Sequence, residues 1–139
     1  MIELLKQAVE EVFVEHFGMP AEPCDEKPSE EGYTAQIPVS DGRKAFIAQL
    51  WADEATLKRL AEILLFEENP DEETLRDLTA EVANFIVGHA KMVASDRHLP
   101  YSMETPKFTG KKSLDGWRDG LIYRVGDHWI ALHLKERNG

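Results

Sequence analysis

Between Leu75 and Ser95 the chain is apolar over most of its positions, and the main exception is a single row: Asp77, Glu81, Asn84, Gly88 and Lys91. These residues stand at i, i+4, i+7, i+11 and i+14. On a helix turning about 100° per residue they fall within roughly 40° of one line. Leu75, Leu78, Ala80, Val82, Ala83, Phe85, Ile86, Val87, Ala90, Met92, Val93 and Ala94 occupy the rest. A helix apolar around most of its circumference has to be enclosed by the remainder of the fold. The pattern therefore predicts one long, largely buried helix whose polar stripe is the only face left for solvent or a partner.

That stripe is locally unfavourable. Asp77 and Glu81 are like charges one turn apart, which costs a few tenths of a kcal/mol. Gly88 inside a helix costs about 1 kcal/mol relative to Ala. Glycine on this line also bares the backbone, so another molecule can approach closely. Two readings stand beside each other: an ordinary solvated face, and a docking surface.

With 139 residues the chain fits one domain, residues 1–139, and can bury a core without disulfides or metal. Its formal charge of −10 opposes phosphate backbones and anionic lipids, which argues against nucleic acid and membrane partners. Such a surface suits a partner that presents Lys or Arg. Cys24 is the one cysteine, so no intrachain disulfide can form and a reducing compartment is expected. The acids in Met1–Lys6 rule out a signal-peptide reading, and no apolar run approaches the length of a membrane span. A cytoplasmic location is expected.

Residues 2–17 read as an amphipathic helix stopped by Gly18. Residues 19–32, rich in proline and acids, read as a loop. Tyr33, Ala35, Ile37 and Val39 alternate as a half-buried strand does, and Pro38 assigns that strand to an edge or to its last residues. Ser40–Arg43 reads as a turn into a second strand, Lys44–Trp51. Asp53 opens a helix that ends near Asn69-Pro70. Asn69 as cap, Pro70 in the first turn and Glu72 as the capping-box acid then start the striped helix. Lys107–Thr109 reads as a short strand closed by Gly110, and Lys111-Lys112 as a solvated loop. Leu121–Val125 and His128–Lys135 form a hairpin about Gly126-Asp127. The order α, ββ, αα, β, ββ predicts an α+β domain, an antiparallel or mixed sheet with long helices packed on it. The last strand is apolar on both faces. At a sheet edge it would invite a second copy and form a homodimer; placed centrally, with Trp129 under the first helix, it leaves a monomer.

Little in the chain supports covalent or metal chemistry. Cys24 lies in an acidic loop with no histidine near it in sequence. There is no glycine-rich phosphate loop and no nucleophile elbow. His16, His89, His98, His128 and His133 show no metal-ligand spacing, and His89 points to the apolar side as a satisfied buried histidine. Asp77 and Glu81 sharing a divalent cation remains open, but two carboxylates on one turn are weak grounds for it. An acid, an amide and a bare glycine can do something simpler. A carboxamide both donates and accepts hydrogen bonds, so Asn84 could hold a water in line with a phosphoryl group. Phosphoryl transfer needs mainly positioning and electrostatics. Such a site is half an active site, because phosphate and metal would come from the other molecule.

The run Asp77-x3-Glu81-x2-Asn84, with Gly88 after it and Pro106 standing 22 positions past Asn84, resembles the CheC/CheX family of chemotaxis phosphatases. The similarity extends through Glu81–Lys91, the preceding hairpin and helix, and the closing strands. CheC relatives carry a second Glu-x-x-Asn on the first helix. Here Glu10 is followed three positions on by Phe13, and Glu11 by Val14, so the chain is closer to the single-site CheX branch. His89, where many relatives have an amide, and the acidic segment Phe66–Glu73 depart from the family pattern. The resemblance implies dephosphorylation of the phospho-aspartate of a CheY-like receiver domain. It implies that Asn84 orients the attacking water, Glu81 pairs with a receiver lysine, Asp77 supports that contact and Pro106 shapes the adjoining loop. It further implies no cofactor of this chain's own, with Mg²⁺ on the receiver, and allows a homodimer. A receiver-binding adaptor without turnover is the alternative.

Overall fold

The computed structural model describes residues 1–137. Three helices, α1 (Ile2–Glu15), α2 (Glu54–Leu65) and α3 (Glu72–Asp96), accompany seven strands. These are β1 (Glu22–Pro23), β2 (Gly32–Ser40), β3 (Ala45–Ala52), β4 (Ser102–Met103), β5 (Lys107–Lys112), β6 (Leu121–Val125) and β7 (His128–Glu136). All pair antiparallel in one sheet of order β1-β6-β7-β3-β2-β4, and β5 also lies along β2. The α+β expectation holds, and the sheet is antiparallel throughout. Among the described residues no helix is long and apolar enough to cross a membrane.

The helices cover one face of this sheet. Leu5, Val9 and Phe13 of α1, Leu57 and Leu60 of α2, and Val82 and Ile86 of α3 meet Ile37, Leu50, Ile130 and Leu132 in a continuous core. Fully burying an aliphatic side chain of this size contributes roughly 1.5–3 kcal/mol, so this contact surface, rather than helix propensity, fixes where α3 lies. A smaller cluster of Trp51, Leu114 and Ala131, flanked by Trp117, Ile122 and Trp129, closes the opposite face. Gly32 belongs to it by necessity, because a Cβ there would come within 2.2 Å of the Trp51 indole.

Several expectations are corrected. Of the two places open to Pro38, the edge is excluded, since β3 pairs along one side of β2 and β5 and β4 share the other, and the last residues hold, since β2 ends at Ser40. Pro38 is tolerated because it falls in the gap between those two partners; β5 reaches Gln36, β4 begins at Val39, and the Pro38 carbonyl still accepts from Glu104 N–H at 2.9 Å. Lys111 and Lys112 are strand residues, not loop, since β5 continues past Gly110, which takes φ 104° at a register shift opposite Thr34/Ala35. β7 lies between β6 and β3, so the last strand has no free edge to offer a second copy. Trp129 packs with Trp51 on the face away from α1, not under it. The two-residue strands β1 and β4 carry no alternation and escaped the sequence pattern.

Helix α3 starts later than expected. Asp71, not Asn69, is its N-cap, with Oδ1 accepting from Thr74 N–H at 2.8 Å. Glu72 is no capping-box acid. Its carboxylate accepts from the Tyr33 hydroxyl at 2.6 Å and pairs with Lys111 Nζ at 3.0 Å, which ties the first turn of α3 to β2 and β5. The helix ends where His98 turns left-handed (φ 57°) and Leu99 N–H closes back on the Ala94 carbonyl at 2.8 Å.

Candidate functional site

Fixed along one side by α1 and on another by the sheet, α3 exposes the stripe that its spacing predicts. Asp77, Glu81 and Lys91 are exposed, and Asn84 and Gly88 are half-buried, while Val82, Ala83, Ile86, Val87 and Ala90 face inward. The open face is wider and less polar than expected. Phe85 is 37% and Met92 53% exposed, beside the stripe rather than under the fold.

Glu81, Asn84 and Gly88 share one shallow concavity of about 270 Å³, completed by Phe85 and His89. Asp77 stands one turn before Glu81 on the same exposed side and does not line the hollow, and neither does Pro106, which is half-buried just before β5. The segment leading to Pro106 is nonetheless anchored to α3, because the Tyr101 hydroxyl donates to the Val87 carbonyl at 2.9 Å. Burial pushes the Tyr101 phenol well above its usual range, so it remains a donor.

Phe85 and His89 were read as lining the apolar interior, and the fold makes them the rim of the hollow. Phe85 meets Phe17 edge-on at 5.8 Å between centroids and lies 5.9 Å from His16. The signal was present in the sequence as a second row beside the stripe, Glu81, Phe85, His89, at i, i+4, i+8. His89 is buried and satisfied, as expected: its side chain is 7% exposed and Nε2 donates to Glu11 Oε1 at 3.1 Å.

Among the described residues, the side chains of Asp77, Glu81 and Asn84 take part in no hydrogen bond or ion pair, although α3 satisfies polar groups on either side of them. Gly88 is equally unexplained from within. A Cβ at this position would meet nothing within 4 Å, so neither packing nor backbone geometry requires glycine there. The arrangement presents an unpaired carboxylate, an unpaired carboxamide and bare backbone to whatever approaches. A roomier concavity of about 430 Å³ between α2 and the β6–β7 turn offers no comparable set. Its Lys58 and Arg59 are already paired with Glu54 and Glu62.

The family model described as chemotaxis phosphatase CheX matches residues 33–116, which span β2 to β5 and the whole of α3. The chain belongs to the CheX family. Solved structures agree on the fold. CheX from Vibrio vulnificus superposes with a TM-score of 0.80 at 14% identity, over 98% of this chain and 95% of that one. A CheC-like superfamily protein from a Shewanella species gives 0.76 at 18% identity, over 99% and 97%. CheX of Borrelia burgdorferi, solved as a CheX–CheY–BeF3–Mg²⁺ complex, gives 0.73 at 19% identity, over 99% and 97%. No curated protein matches the chain in sequence. The CheX model begins after α1 and ends before β6, whereas the solved structures match over nearly the whole chain, with α1, β6 and β7 included.

Proposed function

We propose that this CheX-family protein is a cytoplasmic phosphatase for the phospho-aspartate of a CheY-like receiver domain, with α3 laid across the receiver's phosphorylation site. The observation that carries the reading is the shared hollow of Glu81, Asn84 and Gly88, in which two polar side chains lack partners and a glycine has no internal cause. The Asn84 carboxamide oxygen accepts a proton-bearing edge of a water and turns its lone pair toward phosphorus. Water attacks in line, the bond from phosphorus to the aspartyl oxygen breaks, and inorganic phosphate and the free carboxylate result. Glu81 docks on a receiver lysine, Gly88 lets the two backbones close, Asp77 adds attraction, and Pro106 sets the neighbouring loop. Mg²⁺ belongs to the receiver and stabilises the charge that develops on the phosphoryl oxygens. The acidic surface favours a partner with a basic rim.

The test is phosphate release from phosphorylated receivers in the presence of sub-stoichiometric protein. Many turnovers per chain are expected. Binding to the phosphorylated receiver with no acceleration would reduce the protein to an adaptor.

A further inference from the structure

Two of the five histidines, His16 and His89, stand far apart in the sequence and close together in the fold. The C-terminal end of α1 crosses α3 beside the hollow, and there Glu15, His16 and His89 bring one ligand atom each to within 4.8 Å of one another. The two imidazoles stand 6.2 Å apart, near perpendicular at 77°. We propose that these three residues form a binding site for a divalent transition-metal ion, Zn²⁺ foremost, that clamps the end of α1 to α3.

Three observations support this. The donor set is two imidazoles and a carboxylate, which suits Zn²⁺ and its neighbours and is poor for Mg²⁺ or Ca²⁺. Ligands about 2.0–2.2 Å from a tetrahedral ion lie roughly 3.3 Å apart. His16 and Glu15 are exposed at a helix end, so small side-chain rotations close the remaining distance. Second, His89 is held in place beforehand. Glu11, one turn before Glu15, accepts from its ring at 3.1 Å, and a carboxylate in that position orients a metal-binding histidine and raises its basicity. Third, the end of α1 lacks a cation that its electrostatics call for. Glu11 and Glu15 are like charges at i,i+4, Glu15 sits at the negative helix end, and the last turn holds no basic residue. Arg97, across the adjoining groove of Glu11, Glu15 and His89, is engaged by the Gln7 side chain. A bound dication would satisfy all of these groups and leave a coordination position open toward solvent.

Binding of the ion requires neither receiver nor turnover, so it is tested without either. Titration of the intact, metal-free chain with Zn²⁺ alone, followed by calorimetry, is expected to show one ion bound per chain. His16→Ala, Glu15→Gln and His89→Ala should each weaken binding about tenfold or more, and Glu11→Gln by somewhat less. His128→Ala, at the start of β7 and outside the cluster, should leave it unchanged. His16 and Glu15 are exposed, so their variants keep the test decisive even if removing the buried His89 compromises folding. Co²⁺ in place of Zn²⁺ should give visible absorption bands of a four-coordinate N/O site, lost in His16→Ala. Absence of stoichiometric binding, or binding that His16→Ala and Glu15→Gln leave intact, overturns the proposal.

Discussion

The first turn of α3 and its middle are built to opposite rules. In the first turn the fold engages Asp71, which caps Thr74, and Glu72, which is held by Tyr33, Lys111 and Arg76. About three turns along, Glu81 and Asn84 engage no side chain among the described residues, and Gly88 weakens the helix with no contact to show for it. The same sequence chemistry, an acid on an exposed helix face, is structural at one place and unused at the other. What separates them is a neighbour: β2 and β5 supply partners to Glu72, and no described residue pairs with Glu81. Groups left unused within the described fold stay open to solvent or to a partner.

The sharpest way to break this contrast is Asn84→Ala. The helix should be unharmed, since Ala is the better helix former. Receiver dephosphorylation should fall by roughly 10²-fold or more, as it does when one preorganised polar group is deleted, while receiver binding persists. Full activity in the variant removes Asn84 from the mechanism.

Glu81 should give a smaller effect, read in affinity. Glu81→Ala is expected to weaken receiver binding and Glu81→Lys to weaken it further by like-charge repulsion. Wild-type activity should decline as salt rises, because a pair near solvent is screened. If both variants bind as the wild type does, and salt has no effect, Glu81 is merely a solvated acid.

Gly88→Ala separates the two rules within one residue. With nothing within 4 Å of the added methyl, the free protein should gain about 1 kcal/mol, or roughly 3–5 °C in Tm. Docking should nonetheless weaken, because the methyl occupies the space a partner's backbone needs. A variant that is both more stable and equally active shows that nothing approaches there.

The smallest effect is expected at the other end of the helix. The Tyr33 hydroxyl, followed by Lys111, holds the Glu72 carboxyl below its ordinary range. A depressed carboxyl stabilises the fold above its unfolded pKa and stops doing so as pH falls through the folded value. The Lys111 ammonium is raised, chiefly by Glu72, so its share is full below its unfolded pKa and is lost as pH climbs through the folded one. Burial, with Glu72 beside it, pushes the Tyr33 phenol up to about 12, so it stays a donor across this range. Tyr33→Phe should flatten the acid side of the Tm–pH curve and leave dephosphorylation at neutral pH unchanged. Loss of activity in that variant would show that the first turn of α3 and the hollow do not act separately.

Much of this was legible in the chain because periodicity is a local property. The 3.6-residue spacing of Asp77, Glu81, Asn84, Gly88 and Lys91 fixed one face of α3 whatever it packed on, alternation marked β2, and the turns at Ser40–Arg43 and Gly126-Asp127 marked β3 and the β6–β7 hairpin. The misplacements have a common cause. Asn69 and Asp71 are equally good caps by composition, and the docking of Glu72 onto Tyr33 and Lys111 decides between them. Pro38 was read by the general rule for strands, and only the pairing of two separate partners along β2 makes room for it.

The sequence by itself determined the α+β class, the long striped helix, the family and the polar face that α3 exposes, since each follows from spacing within a few turns or strands. Only the tertiary structure decided that β7 is central, that Phe85 and His89 border the hollow, and that Glu15 and His16 lie against His89. His89 is 73 residues from His16. No local pattern relates positions so far apart; what relates them is the burial of Leu5, Val9, Phe13, Val82 and Ile86 in one core, which fixes how α1 crosses α3.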